Sequence, residues 1–351
     1  MSRRTLTLVT AGLMLVALVA VAAMRPVPYV AMRPGPVQDT LGKVDGQQIV
    51  AISGEKQYPT KGQLDLTTVS VTAPNARLSL AEAVTAWFDP DRAVLPREVV
   101  YPEKQTAEQA EEQSSLEMTS SQSAAEVAAL TELEYDLTFD VTVAQVFDDA
   151  PAKGTLRKDD VIVKVGTEPV DKAAQVGELL QSIDPGEDAT LTIRRDGKER
   201  RVVTPTGPSP EDADRTVVGI QVGDAPRLPF EISIELGDRI GGPSAGLMFS
   251  LAIVDKLTPG PMTGGLHVAG TGEIANTGEV GPIGGIQQKI AGADDAGADV
   301  FLVPADNCAE AVHSDRADDL ELVRVATLAE ARDAVEALAE DRDADVPACR
   351  S

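Results

Sequence analysis

The stretch that most limits this chain is TLTLVTAGLMLVALVAVAAM, residues 5–24, which contains no charged side chain. As a helix rising 1.5 Å per residue it covers about 30 Å, the thickness of a bilayer's hydrocarbon core. Arg3 and Arg4 precede it, so the positive charge predicts an N-terminus in the cytoplasm and the bulk of the chain outside. A removable signal peptide is the competing reading. Ala20-Val21-Ala22 resembles a small-residue cleavage site, and Ser2-Arg3-Arg4 loosely resembles a twin-arginine signal. The apolar run is longer than a usual signal core, which favours an uncleaved single-pass anchor in the cell membrane. Under either reading the bulk of the chain is exported.

A net charge of −25 opposes nucleic acid phosphates and anionic head groups, so no nucleic acid partner is expected. Cys308 and Cys349 are the two cysteines. In an exported chain they can form a disulfide that ties the C-terminal tail to the last domain, or stay as two thiols; the sequence leaves both open. Neither lies in a CxxC or Cys/His cluster, so no metal site is expected, and no cofactor signature is present.

The segments in order predict an α+β multidomain protein. Residues 1–24 form the cytoplasmic tip and transmembrane anchor, and 25–41, with four prolines, an extended tether. Residues 42–134 read as an N-terminal α/β region: short strands, a helix over LSLAEAVTAWF, and over 103–134 a polar, solvent-exposed helix or helical pair with a mobile middle and no chemistry. Residues 135–215 form a β-rich domain, with Asp196-Gly197 as a hairpin turn. Residues 216–340 alternate strands and helices, ending in TLAEARDAVEAL with a capping box from Thr327 to Glu330. Residues 341–351 are a tail.

Within the last domain, GGPSAG (241–246) leads into LMFSLAIVDKL, a helix apolar nearly all round and therefore buried. Ser244 is expected at its start, where unpaired N–H groups and the positive end of the helix dipole collect. Pro243 presets φ there, and Gly241, Gly242 and Gly246 clear side chains so that a substrate backbone can approach. Such a serine is a helix-capping residue or a nucleophile, and the motif alone does not choose. In GGIQQKIAGADDAG, residues Ile286, Ile290 and Ala293 mark a buried face, with Lys289 at its edge. Desolvation there favours a neutral amine, and lowering its pKa to about 7–8 takes roughly 4 kcal/mol. A lone lysine at a helix edge reads equally as a snorkelling surface charge.

GDRIGGPSAG and GPIGGIQQK together strongly resemble the proteolytic domain of Lon proteases, which use a serine–lysine dyad; Ser244 and Lys289 stand 45 residues apart. Thr271, 18 residues before Lys289, is similar to the family's threonine that orients the lysine. APAKGTLRKDDVIVKVGTEPV looks like part of a PDZ domain, a fold that binds extended peptides at a sheet edge. Here Glu134-Tyr135-Asp136-Leu137 stands where many PDZ domains have a glycine-rich carboxylate loop, which disfavours capture of a free C-terminus. No GxxxxGK[ST] loop occurs. Anchor, PDZ-like domain and Lon-like domain in this order resemble the membrane-anchored Lon-like PDZ proteases of bacteria, a resemblance that spans nearly the whole chain.

What the resemblance implies is an ATP-independent, membrane-tethered serine endopeptidase acting on peptides or small, unstructured extracytoplasmic proteins. Ser244 would be the nucleophile and Lys289 its base, with Thr271 in support and backbone N–H groups around Gly242, Pro243 and Ala245 forming the oxyanion region. Substrates would dock on the PDZ-like domain, and the chains would assemble as a homo-oligomeric ring, a hexamer by resemblance. His267 and His313 sit in no triad-like context. The alternative is a PDZ-type scaffold or adaptor whose Lon-like domain is catalytically silent; a chaperone is a third reading.

Overall fold

The structure, a computed structural model, describes residues 3–102, 105–209, 212, 215–237 and 240–350. Asp238 and Arg239 of the GDRIGGPSAG motif lie outside the described residues, as do the first two residues of the tip, 103–104, 210–211, 213–214 and residue 351. The chain divides into two compact units, residues 1–135 with 230–351, and residues 136–229.

The first unit opens with helix α1 (Arg3–Ala23), which buries no residue. Among the described residues it alone is long and apolar enough to cross a membrane, a property that spans and signal sequences share. The chain continues through β1 (Pro26–Val27), β2 (Tyr29–Asp39), β3 (Val50–Ser53), β4 (Gln63–Val71), β5 (Leu78–Ser79), helix α2 (Leu80–Trp87), β6 (Ala93–Pro96) and helix α3 (Ala107–Glu132). The expected tether over 25–41 is instead mostly β2, an eleven-residue strand between β4 and β6. Its prolines are tolerated because the register against β4 shifts between Pro34 and Val37. Pro36 thus stands outside the ladder, and its carbonyl accepts from Thr68 Oγ1 at 2.7 Å.

The polar segment expected to be exposed is the single helix α3, and its second half is buried through Met118, Ser121, Ala125 and Val127 to Leu130. Small side chains permit that burial. Alanine and serine bring the helix close to its neighbour without the large apolar stripe that marks an ordinary core helix.

The second unit contains β7 (Thr138–Val146), β8 (Val161–Val165), helix α4 (Ala173–Leu180), β9 (Asp188–Arg195), β10 (Lys198–Pro205) and β11 (Ile220–Arg227). The strands follow the order β10-β9-β8-β7-β11, over a core of Val141, Val143, Ile162, Leu191 and Ile193. Asp196 and Gly197 both have positive φ, 54° and 71°, as a two-residue hairpin turn between β9 and β10 requires. This unit runs past the expected boundary at 215, because β11 pairs antiparallel with β7 along its length.

The chain then rejoins the first unit as β12 (Glu231–Ile234), helix α5 (Gly246–Leu257), β13 (His267–Gly270), helix α6 (Ile286–Asp295), β14 (Val300–Pro304), β15 (Glu321–Val325) and helix α7 (Leu328–Glu340). Strand β12 pairs with β3, and the main sheet runs β15-β14-β13-β4-β2-β6. It is parallel from β15 to β4 and antiparallel beyond. Residues 42–134, expected as a region of their own, therefore share one sheet with the C-terminal residues. Tyr135 and Phe230, the last residue before the second unit and the first after it, meet edge to face with centroids 5.3 Å apart.

Thr327 caps α7 by accepting from Glu330 N. Glu330 turns its carboxylate to Ala326 N, so only half of the expected capping box forms. Cys308 and Cys349 are joined in a disulfide. The tail lies along β15, with Arg324 N donating to Pro347 O at 2.7 Å and Cys349 N to Leu322 O at 3.0 Å.

Candidate active site

The turn before α5 is held from two sides. Gly242 adopts φ 88°, open to glycine at little cost. Its N–H donates to Ser114 O of α3 at 3.0 Å, and Ser121 Oγ of the same helix donates to Pro243 O at 2.8 Å. On the other side Ser244 O accepts from Gly272 N at 2.9 Å and from Thr271 Oγ1 at 3.0 Å. Helix α5 begins at Gly246 with Ala245 as N-cap and no side-chain cap, so Ser244 lies one residue outside the helix with its hydroxyl uncommitted to capping. All twelve residues of α5 are buried, as its apolar sequence predicts.

The glycines divide differently from expectation. A Cβ on Gly241 would collide with Ser114 Oγ, and one on Gly246 would come 2.9 Å from Ser121 Oγ and strike Ile274 Cγ2. At both positions the missing side chain makes room for α3 and its neighbours, while Gly241 also lines the cleft beside Ser244. The expected oxyanion region also narrows. Gly242 N is taken by Ser114, and Pro243 has no N–H. Among the described residues the N–H groups of Ser244 and Ala245 have no hydrogen-bond acceptor.

Lys289 comes from the first turn of α6, behind Gly285, which caps the helix with φ 71°. A Cβ on Gly285 would press on Val69 and Met32, so the helix end lies tight against β4 and β2. Ile286 and Ile290 are fully buried, and Lys289 is only 2% exposed. Its Nζ lies 2.7 Å from Ser244 Oγ and 2.8 Å from Thr271 Oγ1. Burial lowers the lysine pKa to about 7, against a smaller opposing pull from Glu273. The three side chains singled out in the sequence thus meet at one point: Ser244 and Lys289 line a cleft with Met32, Thr68, Met118, Glu273, Ile283 and Gly284, and Thr271 is buried behind them.

Four contributors carry no signal in the sequence. Ser114 and Ser121 act from a segment expected to have no chemistry. Asn307, just after β14 in VPADN, accepts from Ile283 N at 2.8 Å and donates to Ile283 O at 3.0 Å, fixing the wall of the cleft. Glu273 lines the same cleft. The histidines lie elsewhere: His267 Nε2 is 2.6 Å from Asp65 Oδ2, and His313 Nδ1 is 2.7 Å from Ala309 O.

Residues 239–336 match the family model of the Lon protease (S16) C-terminal proteolytic domain, and residues 114–206 that of the PDZ domain. The chain is 46% identical over 69 residues to Lon protease 1 of Sorangium cellulosum, covering 20% of this chain and 8% of that one. It is 30% identical over 171 residues to Lon protease 1 of Thermus thermophilus, 48% of this chain and 19% of that one. A probable periplasmic serine endoprotease, DegP-like, of Ectopseudomonas mendocina is 37% identical over 71 residues, 20% of this chain and 15% of that one. The chain thus spans from 8% to 19% of the length of these curated relatives. Among solved structures, the PDZ domain of an SdrC-like protein of Listeria monocytogenes is 18% identical, covering 24% of this chain and 86% of that one with a TM-score of 0.22. A Lon-type proteolytic domain and a PDZ domain are therefore both found on this chain, and the former supports a serine protease.

Proposed function

We propose that the protein is a membrane-tethered serine endopeptidase that works without ATP, with Ser244 as nucleophile and Lys289 as general base. The observation that carries this reading is the shared contact of Lys289 Nζ with Ser244 Oγ at 2.7 Å and Thr271 Oγ1 at 2.8 Å. The protons can be assigned. Thr271 donates its hydroxyl proton to Ser244 O, so its oxygen accepts from Lys289. A neutral amine that donates to Thr271 keeps its lone pair for the proton of Ser244.

Lys289 removes that proton as Ser244 Oγ attacks a peptide carbonyl. The N–H groups of Ser244 and Ala245 receive the oxyanion. Protonated Lys289 then donates to the leaving amine. Lys289, neutral again, takes a proton from water as the water attacks the acyl-enzyme, and returns it to Ser244 Oγ as the acyl–oxygen bond breaks and the second product leaves. Substrates are peptides or unstructured extracytoplasmic segments, presented by the PDZ-like domain. Helix α1 is the membrane anchor, and the proteolytic domains associate as a ring, a hexamer by resemblance.

The test is nucleotide-free cleavage of an unfolded casein-type substrate by the full chain in detergent, beside Ser244→Ala and Lys289→Ala. Cleavage lost in both variants supports the assignment. Wild-type activity in Lys289→Ala removes the dyad, and peptide binding without cleavage in the unaltered protein favours a scaffold.

A further inference from the structure

Outside the cleft, the most exposed apolar surface of the globular part lies on α2. Leu80, Val84 and Trp87 recur at helical spacing on one side of it, and Phe88 follows as the C-cap. They are 39%, 45%, 71% and 83% exposed respectively. Ala83 and Ala86 are buried on the adjoining side, so α2 is docked on the protein yet turns its largest side chains outward. A water-facing surface gains nothing from a tryptophan and a phenylalanine in that position.

The position of α2 identifies what covers it. Leu80 N donates to the carbonyl of Arg25, two residues past the end of α1, at 2.9 Å. Strand β1, which starts three residues past the end of α1, pairs with β5, the residues just before α2. The two helices also touch. Eight residues of helix reach about 12 Å, so all of α2 stays near the point where α1 ends. If α1 crosses the bilayer, that point is the membrane interface, where aromatic rings are favoured. Arg25 and Arg77 are exposed beside it, at the level of phosphate groups.

We infer that α2 is a second membrane contact: the face made by Leu80, Val84, Trp87 and Phe88 sits in the interfacial layer of the bilayer crossed by α1. This rests on the anchor reading of α1 given above. With one glutamate and no basic residue in α2 itself, the inserted face is apolar and the contact forms on zwitterionic lipid without needing an anionic head group. It fixes the proteolytic unit against the membrane at two points instead of leaving it on a free stalk.

Trp87 is the sole tryptophan of the chain, so its emission reports this face alone. The full chain is reconstituted into phosphatidylcholine nanodiscs containing lipids brominated along the acyl chain, with carbonate extraction from vesicles run in parallel. Quenching of Trp87 by about half or more in phosphatidylcholine alone, without phosphatidylglycerol, is the expected result. Moving the reporter with Trp87→Phe and Phe88→Trp must preserve it. An integrated chain with unquenched Trp87 overturns the inference and leaves the anchor standing. A chain extracted by carbonate overturns both, while casein cleavage still reads the Ser244–Lys289 proposal separately. Shielding of Trp87 that needs two chains per disc and shows no bromine quenching assigns the face to a second copy and overturns the bilayer contact.

Discussion

Asn307 satisfies both backbone groups of Ile283, accepting from its N–H at 2.8 Å and donating to its carbonyl at 3.0 Å. Ile283 and Gly284 line the cleft, and α6 with Lys289 begins two residues later. A side chain near the end of β14 thus sets one wall of the cleft.

Asn307→Ala leaves two backbone groups without partners, a loss on the order of 1–3 kcal/mol. Melting should fall by several degrees and KM should rise more than kcat falls, since Ser244 and Lys289 stay in contact. Asn307→Asp keeps the acceptor and loses the donor, and should lie between. Steady-state kinetics on a fluorogenic peptide separates the two parameters; an unchanged KM in Asn307→Ala would remove Asn307 from the cleft wall.

The pH profile follows from Lys289. Burial brings its pKa down to about 7, and the base is the neutral form. kcat/KM should therefore climb tenfold per pH unit below that value and level off above it. Thr271→Val removes the acceptor for the lysine N–H and should lower kcat by about 10²-fold, whereas Thr271→Ser should recover most of the rate. A profile flat from pH 5 to 9 is incompatible with a lysine base.

Stability should move the other way in Lys289→Met. A lysine whose pKa is depressed on folding binds its proton in the unfolded chain but not in the native one between pH 7 and about 10.5. Wild-type stability consequently rises with pH through that window, and the full penalty is present below it. Replacement by Met lifts a penalty on the order of 4 kcal/mol at pH 7, offset in part because Ser244 and Thr271 give up their hydrogen bonds to the amine. The variant should be inactive, melt higher than wild type at pH 6, and lose that advantage near pH 10. Denaturant curves at three pH values check this, and a pH-independent difference would mean that Lys289 does not titrate there.

Gly246 sits where α3 crosses α5. Gly246→Ala places a methyl group against Ile274 and Ser121, an overpacking cost of about 1–3 kcal/mol. It should shift the turn that carries Ser244 and reduce kcat together with melting temperature. If the pressure on Ile274 is the cause, adding Ile274→Val recovers part of the melting loss in a calorimetric scan.

The meeting of Ser244, Lys289 and Thr271 was legible in the sequence through the resemblance of GDRIGGPSAG and GPIGGIQQK to Lon proteolytic domains; the small-residue turn and the helix-edge lysine alone each left a structural reading open. Its support was not. Ser114 acts through a carbonyl oxygen, which every residue has, and Ser121 through a hydroxyl no different in sequence from one that faces water. Helix α3 buries alanines, so it lacks the contrast between large apolar and charged faces that betrays a core helix. Strand β2 was hidden by its prolines, which a bulge accommodates. Strand β4 pairs with β13 about two hundred residues on, and β11 completes a sheet begun at β7; local pattern carries no record of either partner. The cysteine pair was open in the sequence because pairing is a fact of proximity.

The pairing of β4 with β13 also fixes an order of events. Gln63 to Leu66 find their parallel partners at His267 to Gly270, and β3 finds its own at Glu231 to Ile234. As the chain is made, the whole of residues 136–229 emerges between these partners. That unit, with neighbouring antiparallel strands, closes its contacts first. Strand β4 finds its first neighbour, β2, close by in the chain but waits for its second until residues 267–270 are made. Until β13 arrives, Ser244, Thr271 and Lys289 have no common scaffold, so under the proposed function the nascent chain has no catalytic centre.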